Sequence, residues 1–461
     1  MEQTLVLDRE LIARYDQSGP RYTSYPTAVQ FHDGFGPAEY AEAARQSNAA
    51  GRPLSLYFHI PFCDTVCFYC ACNKIATKDR TKAQPYLDRV YRELAMQSAL
   101  FDADRPVEQL HWGGGTPTFL SGPQMRELMA QTGRNFRLLD DDTGEYSIEI
   151  DPREVGEETI GLLREIGFNR MSLGLQDLDP NVQRAVNRLQ SAEQTFGVLA
   201  SARREGFRSI SMDLIYGLPF QTPDSFLTTL DRVIEASPDR LSVFNYAHLP
   251  ERFKPQRRIN AEDLPTPDQK LEILRRVGER LEQAGYVYIG MDHFAKPDDE
   301  LAVAQRNGEL YRNFQGYSTH AHCDLVALGV TSIGMVGDTY AQNARDLDTY
   351  YASIDAGELA VFRGVALSDD DRLRRDVITR LICNFALDPA AIERDWGIGF
   401  DEYFATELER LGPMVEDGLV RLDADGIEVL PVGRLLIRNV CMVFDRYLGG
   451  EGQPARYSKV I

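Results

Sequence analysis

No stretch of this chain runs eighteen apolar residues without interruption, which excludes a membrane-spanning helix of ordinary length. The start, MEQTLVLDRELIARYDQ, lacks the basic flank and apolar segment of a secretion signal, so a reducing cytoplasm is the expected compartment. Positive charge is in short supply. Fifty Lys and Arg stand against 70 Asp and Glu, a net −20. That balance argues against nucleic-acid binding, which needs cations on phosphates. An anionic ligand would have to be met by locally placed arginines, and most of the acidity reads as a solubility feature. No G-x-G-x-x-G joins a strand to a helix, so the dinucleotide fingerprint is missing. The cysteines number seven, an odd count that argues against a disulfide framework, and no second C-x2-C pair exists to complete a zinc knot.

What is present suits a globular protein: 461 residues, 43% apolar and 26% charged, enough for one large domain and a smaller one. Residues 1–50 read as a leader with a short helix over 8–15. An irregular aromatic segment, SGPRYTSYPTAVQF, follows and either covers a binding site or packs on the main domain. Between 54 and about 290, strand-like and helix-like stretches alternate. Strands are expected at 54–59, 109–112, 146–150, 170–175, 209–215 and 240–246. Helices are expected at 85–101, 123–135, 157–166, 192–205, 223–236 and 267–284, several opened by Pro, Asp, Ser or Thr. Six such units predict an α/β fold, a partial (β/α)6 barrel with a mainly parallel sheet. Residues 286–365 look less regular. Within them 314–334 reads as a ligand-facing loop or a long connection closing the barrel. From about Ser368 a capped helix, a hairpin around Asp425 and Gly426, and an apolar helix over 433–447 suggest a helical, winged-helix-like domain. The expected divisions are therefore 1–50, 51–365 and 366–461.

The chemistry concentrates in LSLYFHIPFCDTVCFYCACNK, residues 54–74. Cys63, Cys67 and Cys70 form C-x3-C-x2-C directly after the first strand, and Cys72 follows. Three thiolates on one short loop can hold three irons of a cubane and leave the fourth open. Zinc also accepts close cysteine pairs, but a zinc knot leaves the barrel pattern unexplained, so the cluster is favoured. Polar or glycine-rich residues recur at the end of every strand: the cysteine loop itself, Gly113-Gly114-Gly115-Thr116, Glu149 with Asp151-Pro152-Arg153, Gln176-Asp177, Asp213, and Asn245 onward. Six in register point to one pocket at the C-terminal strand ends. Cys383 and Cys441 lie in apolar helical stretches and read as core thiols. His320-Ala321-His322-Cys323 has metal-binding residue types, but one short polar loop is thin evidence for a site.

The loop HIPFCDTVCFYCACNK resembles that of the radical S-adenosylmethionine (SAM) superfamily. The wider set RYTSYPTA, HWGGGTPT, SIEIDPRE, GLQD, NRLQ, DLIYGLP, LSVFNYAHLP, GMDHFA, FQGY and LICNF is similar to its oxygen-independent coproporphyrinogen III oxidase (coproporphyrinogen dehydrogenase) family. The resemblance spans Arg21 to Phe385. It implies that Cys63, Cys67 and Cys70 ligate a [4Fe-4S] cluster, with Cys72 in the active-site motif but not a ligand. It implies that Tyr57 and Tyr69 flank cluster-bound SAM, where the family often has Phe at the second position. Gly113, Gly114, Gly115 and Thr116 would line the methionine part, and Glu149, Gln176, Arg188, Asp213 and Ala247 would be further SAM contacts. Gln315 and Ile333 would belong to a second SAM site. The implied reaction is oxidative decarboxylation of two propionates of coproporphyrinogen III to vinyl groups, giving protoporphyrinogen IX in haem biosynthesis. It needs an electron donor and an acceptor that nothing in the chain identifies, and a monomer is expected. Arg21, alone in an otherwise uncharged aromatic stretch, is a candidate for a substrate propionate. The resemblance assigns no role to His320 or His322. The competing expectation is a haem-binding or haem-transferring relative without decarboxylase activity; such relatives generally lack the C-x-C extension and the RYTSYPTA leader, and this chain has both.

Overall fold

A computed structural model describes residues 5–423 and 426–448. Its centre is a thirteen-stranded sheet. In chain order the strands are β1 (Leu54–Ile60), β2 (Pro106–Gly114), β3 (Arg137–Leu138), β4 (Glu145–Ile150), β5 (Arg170–Gln176), β6 (Ser209–Tyr216), β7 (Arg240–Asn245), β8 (Val287–Gly290), β9 (His293–Ala295), β10 (Asp324–Leu328), β11 (Ile333–Val336), β12 (Thr339–Asn343) and β13 (Val361–Ala366). Six of them, β1, β2, β4, β5, β6 and β7, lie side by side in sequence order and all run parallel. They are the six strands of the expected partial barrel.

The connecting helices are Ala83–Ser98, Gly122–Asn135, Glu157–Glu165, Ala192–Arg204, Pro223–Ala236 and Pro267–Gln283. Their starts follow local chemistry. Thr222 accepts from the Ser225 N–H and Thr266 from the Gln269 N–H, each with a proline in the first turn, where its missing N–H costs nothing.

Strand periodicity decides what faces the lumen. Along β4, Tyr146, Ile148 and Ile150 are buried against the helical layer, while Glu145, Ser147 and Glu149 point the other way. The same alternation sends Ser172, Gly174 and Gln176 of β5, and Ser211 and Asp213 of β6, to the lumen. Register then aligns them: Glu149 pairs with Ser172, Gly174 with Asp213, and Asp213 with Ser242. The barrel interior is therefore polar and the apolar core lies between sheet and helices.

Residues 286–365 are more ordered than their sequence suggests. The hairpin β8–β9 closes one edge against β7. At the other edge β10 runs parallel to β1 and is buried along its whole length, followed by the antiparallel strands β11, β12 and β13. The expectation of a loop over 314–334 is corrected accordingly: about half of it is strand. These strands are three to six residues long and broken by glycine turns, and a short strand buried on both faces shows no alternation to read.

In the leader, Asp8 caps the helix Arg9–Tyr15, and a second helix, Pro37–Ser47, was not expected. Tyr22 and Tyr25 are buried, the Tyr22 hydroxyl donates to Asp445 at 2.9 Å, and Arg438 donates to the Pro20 carbonyl at 2.8 Å. The aromatic segment thus packs against the C-terminal part of the chain. There the helix Asp369–Asn384, capped by Ser368, leads into a small sheet of Ala386–Leu387, Gly426–Val429 and Val420–Asp423. Asp425, expected in that hairpin's turn, lies outside the described residues. The apolar helix expected over 433–447 is shorter, Ile437–Val443, after a single 3-10 turn at Arg434–Leu436. Cys383 and Cys441 are buried in the core. Among the described residues no helix is long and apolar enough to cross a membrane.

Candidate active site

The cysteine loop leaves β1 at the C-terminal end of the barrel and returns as a tied-down Ω. Phe62–Cys63 pairs with Ile75–Ala76, with Ile75 N donating to the Pro61 carbonyl at 2.7 Å and Thr77 N to the Cys63 carbonyl at 2.8 Å. Its far side is held by Phe68 N on the Val186 carbonyl, 2.9 Å, and by Asn187 Nδ2 on the Val66 carbonyl, 2.8 Å. The three thiols Cys63, Cys67 and Cys70 line a chamber of about 360 Å³.

The triple glycine sits where side chains have no room. Gly114 has φ +110°, and a Cβ there would lie 2.5 Å from the His59 ring; at Gly115 it would lie 2.7 Å from the Phe62 carbonyl. This close approach lets Gly115 N and Thr116 N bond the Ile60 and Phe62 carbonyls, both at 2.8 Å, and fixes the chamber floor. Gly113 lines neither chamber itself; a Cβ there would meet Glu149 and His111, both at 2.9 Å, and displace those wall side chains.

Charge at the chamber is arranged around Cys67. Arg188 Nη1 lies 3.5 Å and Arg153 Nη2 3.6 Å from its sulfur. Asp151 holds both guanidiniums, taking Arg188 Nη1 at 3.0 Å and Arg153 Nη2 at 2.6 Å. Two guanidiniums thus lie against one sulfur of the loop. Burial pushes the metal-free Cys63 thiol up to about 12. Cys70 is pulled down, foremost by a hydrogen bond with Cys72 and then by Lys74, and Cys72 is raised in return. Burial alone would raise Glu149, yet hydrogen bonds from His111 and from Gly114 N at 3.1 Å bring it below the usual carboxylate range. Asp213 is raised to about 6 by burial, against hydrogen bonds from Ser172, at 2.9 Å, and Ser242.

A second chamber, of about 500 Å³, adjoins the first and shares Cys72, Gly114 and Glu149 with it. Tyr57, Gln315 and Ile333 line it. Tyr57 is held by His59. The His59 Nε2 faces the Asn73 carbonyl at 3.2 Å and so carries the ring proton, which leaves Nδ1 to accept from the Tyr57 hydroxyl at 3.1 Å. Burial lowers the His59 pKa, consistent with a neutral ring.

Most predicted positions therefore converge. Cys63, Cys67, Cys70, Cys72, Tyr69, Gly114, Gly115, Thr116, Glu149, Gln176, Arg188 and Asp213 all line the first chamber. Ala247 does not. It lines a third chamber, of about 290 Å³, together with Arg21, Lys270, Asp292 and Arg438. The first-chamber wall at β7 is Phe244 instead. Asp151 and Arg153, read from the sequence only as strand-end residues of the pocket, line the first chamber as well, and Phe244 is the wall residue that sequence reasoning missed.

The residues fit an iron–sulfur cluster and SAM. The donor set is three cysteines on one loop, with cationic neighbours suited to thiolates. Buried polar atoms without a partner, Gln176 Oε1 and Arg188 Nε, belong to residues lining the same chamber, and Gln315 Nε2 belongs to one lining the second.

Comparison with known proteins agrees. A family model described as the radical SAM superfamily matches residues 57–233, and one described as the HemN C-terminal domain matches 367–436. The oxygen-independent coproporphyrinogen III oxidase of Pseudomonas aeruginosa is 59% identical over 461 residues, covering both chains fully. That of Escherichia coli is 53% identical over 100% of this chain and 99% of its own. The solved structure described as coproporphyrinogen III oxidase (HemN) from Escherichia coli, a radical SAM enzyme, superposes with a TM-score of 0.92 at 52% identity, covering 97% of this chain and 100% of that one.

Proposed function

The chain belongs to the oxygen-independent coproporphyrinogen III oxidase family of the radical SAM superfamily, and on that premise we propose how its chambers are used. It is an oxidoreductase that converts two propionates of coproporphyrinogen III to vinyl groups in haem biosynthesis, with a [4Fe-4S] cluster and SAM as cofactors. The observation that carries this reading is a three-cysteine loop facing a walled chamber at the barrel mouth, in a chain that matches these oxidases from end to end. The haem-carrier alternative draws no support from these features. When bound, the cluster and SAM supply one-electron chemistry that removes a hydrogen atom from an unactivated carbon.

The protein's part is to bind, orient and exclude water. Cys63, Cys67 and Cys70 hold the cluster. Glu149, kept ionised, suits the SAM ammonium, and Asp213 suits hydroxyl donors. Tyr69, Gly114, Gly115, Thr116, Gln176 and Arg188 complete this wall. Tyr57, Cys72, Gln315 and Ile333 serve the adjoining chamber, which offers room for a second SAM or for the reacting substituent. The leader and the C-terminal helices pack on each other and share one core with the barrel. An anaerobic assay with SAM, a reductant and coproporphyrinogen III tests the whole reading. Both 5′-deoxyadenosine and protoporphyrinogen are expected; 5′-deoxyadenosine without protoporphyrinogen would point to another substrate.

Two expectations concern individual groups. Asp213 accepts hydrogen bonds as a carboxylate, and with its pKa at about 6 that form is lost as pH falls through about 6. The KM for SAM should therefore rise on acidification. Asp213→Asn should raise KM at every pH and flatten the profile; a wild-type profile that is already flat would remove Asp213 from the binding wall.

Arg21 meets the substrate in the third chamber. Its guanidinium pairs with Asp292 and shares the chamber with Lys270 and Arg438, three cations where a propionate needs them. Arg21→Ala should raise the KM for coproporphyrinogen about tenfold, a loss of about 1.4 kcal/mol. Stability should change by less than about 1 kcal/mol, since the Arg21 side chain is 43% exposed. An unchanged KM would make Arg21 a structural residue.

A further inference from the structure

The loop that precedes β10 brings two histidines and a cysteine to a glutamate 214 positions away. Glu108 stands near the start of β2, six residues before Gly114. At about 3.3 Å per residue the site is about 20 Å from the cysteine loop, at the opposite end of the barrel. Around Glu108 Oε2 lie His322 Nε2 at 2.6 Å, His320 Nδ1 at 3.7 Å and Cys323 Sγ at 3.9 Å. One donor atom from each of the four residues lies within 4.8 Å of all the others. No other group of three or more His, Cys, Asp or Glu among the described residues is so gathered.

We propose that Glu108, His320, His322 and Cys323 form a mononuclear site for a zinc-class divalent cation.

Two further observations point the same way. His320 Nδ1 is buried and has no hydrogen-bond partner, a costly state for a ring nitrogen. Its other nitrogen, Nε2, faces Glu145 Oε2 at 3.6 Å. A carboxylate behind one ring nitrogen holds the proton there and turns the lone pair of the other toward the cluster. This is the supporting arrangement that orients histidine ligands at metal centres. The loop is braced for it: His320 N donates to Ser318 Oγ at 3.0 Å, and Cys323 N to the His320 carbonyl at 3.2 Å.

The donor set selects the cation. Two imidazoles, a thiolate and a carboxylate suit a borderline-soft, four-coordinate ion and not the all-oxygen shells of magnesium or calcium. Charge also closes. Thiolate and carboxylate together neutralise a dication, so a half-buried site holds no net charge. The cation takes the Cys323 sulfur as a thiolate, and the thiol proton goes to solvent. Cys323 precedes Asp324, the first residue of β10, so the cation pins the start of β10 to the start of β2, across β1. Its role is structural, closing the bottom of the barrel.

The test uses the anaerobically purified holoenzyme, incubated with zinc and freed of loose metal by gel filtration. Metal analysis should find about one zinc per chain beside the cluster iron. X-ray absorption at the zinc edge, blind to iron, should show one sulfur at about 2.3 Å and three nitrogen or oxygen neighbours at about 2.0–2.2 Å. His322→Ala, at a side chain 55% exposed and safe for folding, should weaken zinc retention at least tenfold. Cys323→Ser should give a sulfur-free zinc spectrum. Both variants should keep wild-type iron content and 5′-deoxyadenosine formation. Zinc retained no better by wild type than by His322→Ala would overturn the assignment. So would a zinc spectrum with two or more sulfurs, which would place the ion among Cys63, Cys67 and Cys70.

Discussion

Cys67→Ser should leave the enzyme without its cluster and abolish both products. Of the three proposed ligands, Cys67 has the most cationic surroundings, with Arg188 and Arg153 at 3.5 and 3.6 Å from its sulfur. Serine matches its shape but supplies a hard alcohol in place of a soft thiolate, and two thiolates cannot hold a cubane on this loop. The loss should be chemical and not structural. The loop is tied by backbone bonds at Ile75 and Thr77 that involve no thiol, so the unfolding midpoint of the cluster-free protein should barely move. Iron analysis and the visible absorption of anaerobic protein measure the first part. Cys72→Ser is the control: it should retain full iron and lose turnover, because Cys72 lines both chambers and lies outside the proposed ligand set. Full iron in Cys67→Ser would take that residue out of the ligand set.

The largest expected effect on stability lies far from the chemistry. Arg105 is 3% exposed and meets Asp324, 1% exposed, in a buried ion pair. It also donates to the Arg52 carbonyl at 2.6 Å, to Ser47 Oγ at 2.9 Å and to Asn48 Oδ1 at 3.0 Å. One side chain thus joins the end of the Pro37–Ser47 helix, the approach to β1 and the start of β10. Arg105→Ala would strand a buried carboxylate whose remaining partner is Gly337 N at 2.9 Å. The expected cost is about 3–5 kcal/mol. It is read as a lowered denaturant midpoint of the cluster-free protein under reducing conditions. The paired change Arg105→Met with Asp324→Leu should recover most of the loss, because it removes both charges and keeps volume. A loss below about 1 kcal/mol for Arg105→Ala would mean that water reaches the pair.

Both predictions show where sequence and structure divide the information. The cluster loop, the six parallel strands and the strand-end residues were legible because each depends on short-range rules. Cysteine spacing, a period of two and helix-start chemistry are all written within a few residues of where they act. That is why Glu149, Asp213 and Gln176 could be placed in one pocket before any coordinates. The rest depends on pairs far apart in the chain. Ala247 follows β7 closely, yet the path of the chain after Asn245 carries it into the Arg21 chamber and leaves Phe244 at the first. Asp151 could be placed at a strand end, but nothing near it signals Arg188, the partner 37 positions on. Arg105 and Asp324 are 219 positions apart, and nothing near either one signals the other.

The sequence by itself determined the fold class from local periodicity, and through its family resemblance it pointed to the chemistry and to the proposed cluster ligands, since both are written in short motifs. Only the tertiary structure decided which residues share a wall. It divided the predicted site into two adjoining chambers with Cys72, Gly114 and Glu149 between them, and it gave the loop of His320, His322 and Cys323 a fourth donor in Glu108. The physical reason is the same in each case: a side chain's chemistry is local, but its partners are set by strand register and by which strands become neighbours.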